Sequence, residues 1–465
     1  MEPLKVHSPF NGEYVGEINE VNGPEIERML ATAHDLFKNR SCWLTKSERL
    51  NILRKAAELI RERREQLALS AAREGGKPLV DSLVEIDRAA DGIECCVEEI
   101  RASAGNVIPM QLDGNSSSKV AFTQYEPIGV VAAVSAFNHP FNLIVHQVAP
   151  AVATGCPVLV KPAATTPLSC KAFIDILEEA GLPKGWAQVV VPQTIDLATD
   201  LISDPRVAFF SFIGSSRVGW MLKSKLASGT RCALEHGGVA PVVVAADANL
   251  DDVVERVAKG GFYHAGQVCV SVQRIFCDKK IVDVFSEKLS AAASQLKVGD
   301  PTDLDTDVGP LISEKECQRV ADWVDEASKG GAIIKTGGQK ISDTCYEPTV
   351  LVGADKEAKI STSEVFGPVV SIYPYENIDD AIAEANSLPV SFQAAVFTES
   401  LDTAMHCYQH LDATAVMVNE HTAFRVDWMP FAGAKTSGHG VGGIPYTIHE
   451  MQIEKMMVWR SKSIK

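Results

Sequence analysis

The chain has 465 residues, 46% hydrophobic and 22% charged, an ordinary globular composition long enough for about three domains and a core that needs no staples. Its 44 Lys and Arg against 60 Asp and Glu leave a formal charge of −16, which argues against nonspecific binding to nucleic acid or to an anionic membrane. The 11 cysteines are scattered, Cys95 and Cys96 are adjacent and no C-x-x-C pair occurs, so neither a zinc cage nor a disulfide framework is expected. The polar start Met1-Glu2-Pro3-Leu4-Lys5 lacks an apolar signal region, and no apolar run of about 18 residues occurs, so a cytoplasmic protein is expected.

Turn formers Pro9 and Asn11-Gly12 between short apolar alternations predict a hairpin over residues 1–20. Residues 24–33 and 47–73 read as amphipathic helices, the second with Leu50, Leu53, Ala57 and Ile60 on one face, and Gly75-Gly76-Lys77-Pro78 breaks it. Residues 80–104 read as a further helix. From about residue 120 the pattern changes. Apolar runs at 129–134, 157–162, 187–191 and 207–212 read as buried strands, alternating with helices at 141–153 and 166–180. Such alternation means a parallel sheet with crossovers, and the glycine turns after its strands are where a doubly wound fold seats a dinucleotide. A strand at 241–245 opens a second α/β unit, with helices at 253–262, 282–295 and 314–327 and strands at 349–352 and 369–373; residues 454–459 form an apolar terminal strand.

Four groups carry chemistry. Cys269 lies in Gly266-Gln267-Val268-Cys269-Val270-Ser271, a run of small and apolar residues; free cysteine is usually core, yet this setting is shared by none of the others. Gly214, Ser215 and Gly219 lie in a stretch that follows a strand and opens a helix, where glycines admit a phosphate and the helix N-terminus favours it. The first βα turn lacks G-x-G-x-x-G. Glu235, before Gly237-Gly238, suits a general base whose pKa burial raises. Asn138, between a strand and Pro140, suits an oxyanion donor. A capping glutamate and a turn asparagine are the commoner fates of the last two.

Taken together, these residues make the chain resemble the aldehyde dehydrogenase superfamily over nearly its whole length. The likeness rests on Phe137-Asn138-His139-Pro140, Val160-Lys161-Pro162-Ala163, Phe212 to Gly219, Leu234 to Gly238, Gly266 to Cys269, Glu364-Val365-Phe366-Gly367-Pro368 and Pro430 to Gly438, in the family's order. The resemblance implies two doubly wound parallel-sheet domains and a small β flap: residues 1–106 and 129–237 for the dinucleotide, 238–436 for the thiol, 107–128 and 450–465 for oligomerisation into a dimer or tetramer. It implies Cys269 as nucleophile, Glu235 as base for the deacylating water, and Asn138 with the Cys269 backbone N–H as oxyanion hole. Lys161 and Glu364 would hold cofactor ribose hydroxyls, Ser215 the pyrophosphate, and Phe366 would pack near the nicotinamide.

The chain departs from the family at two positions. Ala164 stands where a carboxylate often reads the adenosine ribose, so both NAD and NADP are expected, with NAD somewhat favoured. His139 replaces the usual aromatic residue after the asparagine. The loop 418–431 resembles a substrate-tunnel segment, in which Thr422, Phe424 and Phe431 match substrate-lining positions. It adds Arg425 and His421, and with Gly442-Gly443-Ile444-Pro445-Tyr446 it is similar to the phosphonoacetaldehyde, sulfolactaldehyde and lactaldehyde dehydrogenases. Arg425 and the histidines suit a small aldehyde with an anionic tail, such as sulfolactaldehyde, phosphonoacetaldehyde or succinate semialdehyde. Pairing of Arg425 with Asp427 or with a neighbouring subunit is an equal expectation. The alternatives are a neutral hydroxyaldehyde such as lactaldehyde, acyl transfer to coenzyme A, and a non-catalytic scaffold.

Overall fold

The computed structural model describes residues 3–464. It contains an α/β architecture with two mostly parallel sheets and a small antiparallel one. The strand order decides where ligands sit. In the first sheet that order is Gly438–His439, Arg231–Glu235, Val207–Ile213, Val130–Val134, Val158–Lys161, Ala187–Val189. The chain begins at Val130–Val134, winds outward on one side, then returns to Val207–Ile213 on the other. The reversal falls between those two neighbours, and their carboxyl ends open a crevice there.

The strands are parallel except where Gly438–His439 pairs antiparallel with Arg231–Glu235. Burial on both faces explains their apolar composition: Val130, Val131, Val158, Val160 and Phe210 are fully enclosed.

The second sheet runs Ile333–Thr336, Thr349–Val352, Val369–Tyr375, Arg274–Asp278, Pro241–Val244, Gln393–Phe397, Ala415–Val418, antiparallel only at its first pair. Its core gathers Val242, Ile275, Phe285, Val320, Ile372 and Phe397. The third sheet joins Val107–Ile108, Lys119–Pro127 and Gln452–Arg460, the last pairing over nine residues and leaving Met456, Met457, Val458 and Trp459 exposed. The expected hairpin is present as Leu4–His7 against Tyr14–Ile18. Among the described residues no helix is long and apolar enough to cross a membrane.

Two local differences from the sequence reading have physical reasons, and so does the expected break. The helix expected at 24–33 runs Gly23–Lys38, begun by a reciprocal cap between Asn22 and Glu25. The single helix expected at 47–73 is two, Lys46–Glu62 and Arg64–Gly75, with Arg63 at φ −105° and ψ 15° between them. The bend lets Arg63 reach Glu179 and Arg64 grip both oxygens of Asp87, tying two neighbouring helices. The Gly75-Gly76-Lys77-Pro78 break is flanked by two buried carboxylates. Glu74 accepts the N–H groups of Leu168 and Ser169, and Glu85 accepts those of Phe141 and Asn142, each satisfying the first turn of a helix. The second oxygen of Glu85 takes the ammonium of Lys77 at 2.8 Å, with both side chains fully enclosed.

Candidate active site

A cleft of about 1060 Å³ lies between the two large sheets. One end is walled by residues that follow the strands at the reversal point: Ser135, Ala136 and Phe137 after Val130–Val134, and Gly214, Ser215 and Ser216 after Val207–Ile213. The other end holds Cys269, Glu235, Asn138, His139, Tyr263, Arg88, Arg425 and Phe431. The residues read from sequence as nucleophile, base and oxyanion donor therefore share one cavity.

The thiol stands on a tightly tied loop. Gln267 donates to the carbonyl of Pro310 at 3.2 Å and accepts the N–H of Ile312 at 2.9 Å. Earlier in the same loop, His264 and Ala265 take φ of 48° and 54°, a left-handed conformation costly for residues other than glycine. Beyond the thiol, the carbonyl of Val270 accepts the Thr422 hydroxyl at 2.7 Å. Burial pushes the Cys269 thiol up to about 12, against the pull of the Arg425 guanidinium. The Cys269 backbone N–H faces its own sulfur.

Asn138 is 5% exposed, and its amide donates to the Gln267 carbonyl at 2.9 Å. An amide nitrogen carries two N–H groups, so one orients the side chain and the second is left for an oxyanion. Burial raises Glu235, again with Arg425 opposing. Gly442 gives that carboxylate its room: a Cβ there would lie 2.1 Å from Oε1. His139 meets the Tyr263 hydroxyl at 3.3 Å, and burial drives its pKa well down.

Arg425 does not pair with Asp427. Both oxygens of Asp427 are taken by Arg88, at 2.7 and 3.1 Å, and His146 adds a third bond at 2.7 Å. Arg425 instead lies 3.6 Å over the Phe431 ring, touches His146 at 3.3 Å and keeps its Nε buried without a partner. Phe431 lines the cleft as expected. Three neighbouring expectations are not met by position: His421, Thr422 and Phe424 are absent from the lining. Thr422 is fully buried as an anchor for the thiol loop, Phe424 is 42% exposed, and His421 lies 3.7 Å from Glu420.

The far end suits a dinucleotide. Glu364 lines the cleft with Oε1 buried and unpartnered, raised to about 8 by burial, so a hydroxyl-bearing ligand has a hydrogen-bond partner waiting. Gly237 is what admits it, since a Cβ there would lie 1.7 Å from Oε1. Ser215 caps the helix Ser216–Lys223 without spending its hydroxyl on that helix. Phe366 meets Phe137 edge-on at 5.8 Å. Lys161 ends its strand beside the cleft residue Ala163 but is not in the lining, its ammonium 3.3 Å from the Pro162 carbonyl. Gly219 is also outside it. The demand there is packing: a Cβ would strike His236 at 2.0 Å. The sequence reading missed Arg88, Tyr263, Arg319 and Trp323, which complete the walls. Nothing in their spacing set them apart from a solvated helix face or a core aromatic.

Comparison with known proteins agrees with this geometry. The family model described as the aldehyde dehydrogenase family matches residues 1–457. The chain is 37% identical over 457 residues to a 3-sulfolactaldehyde dehydrogenase of Priestia aryabhattai, covering 98% of this chain and 95% of that one. It is 33% identical to a lactaldehyde dehydrogenase of Methanocaldococcus jannaschii, covering 98% and 97%. Among solved structures, aldehyde dehydrogenase 21 of Physcomitrella patens in complex with the product succinate superposes with a TM-score of 0.95 at 32% identity, covering 99% and 96%. A glyceraldehyde-3-phosphate dehydrogenase of Methanocaldococcus jannaschii complexed with NADP gives 0.94 at 33%, covering 99% and 100%. The chain belongs to the aldehyde dehydrogenase family, as an NAD- or NADP-dependent enzyme that oxidises small aldehydes.

Proposed function

We propose that the substrate is a small aldehyde with an anionic tail, sulfonate, phosphonate or carboxylate, and that Cys269, Glu235 and Asn138 oxidise it to the acid. The observation that carries the tail is Arg425. Its guanidinium stands in the cleft near the thiol with a buried, unpartnered Nε, while Asp427 is committed to Arg88 and His146. A buried cation that no carboxylate contacts directly is costly, although Glu235 lies near enough to feel its charge, and an anionic ligand lowers the cost. The likeness to sulfolactaldehyde dehydrogenases and to a succinate-bound relative supports the same class.

In this mechanism Cys269 attacks the aldehyde carbon, and the oxygen gathers charge against the free N–H of Asn138 and the Cys269 backbone N–H. A nicotinamide cofactor, when bound, would supply the hydride acceptor that the residues themselves lack. Glu364 and Ser215 would hold the cofactor, with Lys161 beside the cleft residue Ala163. The resulting thioester on Cys269 is hydrolysed by water from which Glu235 takes a proton. Ala164 is exposed and offers neither a carboxylate against a 2′-phosphate nor a base for it, so both cofactors are used, NAD somewhat better. The dinucleotide unit is assigned to residues 1–106 and 129–237 and the thiol unit to 238–436. The flap of 107–128 and 450–465 is assigned to oligomer contacts, supported by the exposed Met456 to Trp459. Eleven unpaired cysteines support a reducing compartment such as the cytoplasm.

The test is the ratio of kcat/KM for an anionic aldehyde to that for a neutral one of similar length, read by reduced-cofactor absorbance. Arg425→Leu is expected to lower this ratio roughly 10- to 150-fold, equivalent to the 1.5–3 kcal/mol of a charged hydrogen bond. Equal loss on both substrates would return Arg425 to a structural role.

A further inference from the structure

A buried guanidinium is useful for selectivity only if it is held still, and among the described residues no carboxylate hydrogen-bonds to Arg425. What it has is a chain of four groups drawn from three elements. Arg88 comes from the helix Leu79–Ala102, His146 from Asn142–Thr154, and Arg425 and Asp427 from the loop that crosses the cleft. Asp427, 3% exposed, accepts from Arg88 through both oxygens, from His146 Nε2 at 2.7 Å and from Asn142 at 3.4 Å. Burial works against its ionisation, yet the bonds from His146 and Arg88 hold its carboxyl far below the usual range.

An ionised carboxylate only accepts, so the proton of His146 sits on Nε2. Burial, with the charge of Arg425, lowers the imidazole pKa, and the ring is neutral at neutral pH. In that tautomer Nδ1 is a bare lone pair, and it lies 3.3 Å from Nη2 of Arg425. The Phe431 ring, 3.6 Å away, fixes the plane of the guanidinium. Nε is buried without a partner, so the guanidinium keeps donor capacity that His146 does not take up.

We infer that His146, its tautomer set by Asp427, is a positioning residue that holds Arg425 by accepting from Nη2, and so sets the preference for anionic over neutral aldehydes. This rests on the anionic-tail reading above. Asp427 acts on the substrate at two removes, and Arg88 is the counter-ion that keeps Asp427 ionised in the fold. His146 adds no charge of its own to the seat, so it tunes the direction of the guanidinium and not the number of charges.

The experiment compares His146→Phe, His146→Gln and Arg425→Leu in the full-length enzyme, each by the same anionic-to-neutral ratio of kcat/KM. Phe keeps bulk and deletes the acceptor; should it fail to fold, His146→Leu deletes the acceptor with less volume. Gln keeps both a donor for Asp427 and an acceptor for Arg425. His146→Phe is expected to lower the ratio about tenfold, mostly through KM for the anionic substrate, as for one lost bond to a charged group. His146→Gln is expected to restore the ratio to within about threefold of the native value, on the scale of a neutral acceptor retained. A ratio unchanged in His146→Phe but lost in Arg425→Leu overturns the positioning role and leaves the anionic reading standing. Gln no better than Phe overturns it too, because the site then needs the ring and not its lone pair. Equal losses on both substrates in Arg425→Leu remove the anionic reading and this inference with it.

Discussion

Gly442 touches no reacting atom, yet the geometry makes it a control on the deacylation step. A Cβ at 442 would lie 2.1 Å from Glu235 Oε1 and 2.9 Å from the Phe431 carbonyl, whereas ordinary contact begins near 3.4 Å. The carboxylate must therefore move by about 1.3 Å, the difference between 3.4 and 2.1 Å, because the backbone on the other side cannot yield. Gly442 does not have the positive φ that would itself forbid alanine, so the effect is steric and aimed at one side chain. A displacement of roughly 1 Å in a catalytic group costs on the order of 10²-fold in rate. Gly442→Ala is thus expected to keep a first-turnover burst of reduced cofactor and to slow steady-state turnover about a hundredfold. Stopped-flow absorbance with enzyme in excess, then in deficit, separates the two phases. Unchanged steady-state turnover would falsify the placement of Glu235 as the water-activating base, since the base would then tolerate the shift it was predicted not to.

Glu235→Gln is expected to show the same split, a burst followed by slow turnover; loss of the burst would reassign Glu235 to deprotonating the thiol. Cys269→Ala is expected to abolish oxidation while cofactor binding, read by fluorescence titration, persists; residual turnover would mean another nucleophile. Because burial raises Cys269 to about 12, the ionised sulfur is scarce at neutral pH and grows as pH rises. Iodoacetamide labelling of the Cys269 peptide in the free enzyme should climb about tenfold per pH unit from pH ~7 to ~9, and a plateau near pH 7 would contradict a raised thiol. Lys77→Met strands the enclosed Glu85 carboxylate and should destabilise by about 3–5 kcal/mol, lowering the thermal midpoint by several degrees; an unchanged midpoint would show Glu85 content with its two backbone donors.

The buried strands were legible because a parallel sheet covered on both faces writes itself as a short apolar run, as in Val130–Val134 and Val158–Lys161. The bend at Arg63 was not legible. No glycine or proline marks it, and its reason is tertiary, in Glu179 and Asp87 from distant parts of the chain. The left-handed backbone at His264, Ala265 and Phe366 was equally silent, since nothing in those side chains asks for positive φ. In each case the surrounding fold imposes a local cost that local sequence would have avoided.

The site divides along the same line. Cys269, Glu235, Asn138 and Glu364 could be found because their motifs carry backbone requirements with them. Glycine at 266 is demanded by a backbone approach of 2.0 Å that no Cβ survives, and glycine at 237 leaves the room that the Glu364 carboxylate occupies, 1.7 Å from where a Cβ would lie. The crossing loop carries no such requirement. Ala423 and Arg425 line the cleft, while Thr422 is buried behind it and Phe424 is 42% exposed. Which parity faces inward depends on a register that a strand partner would normally fix, and between residues 419 and 430 this loop has none. What fixes it is the Thr422 hydroxyl on the Val270 carbonyl at one point and the grip of Arg88 and His146 on Asp427 at another. Both anchors come from residues more than a hundred positions away in sequence. Arg425 faces the thiol because its neighbours on either side are held facing elsewhere, and that is a property of the folded loop and not of the string of residues that forms it.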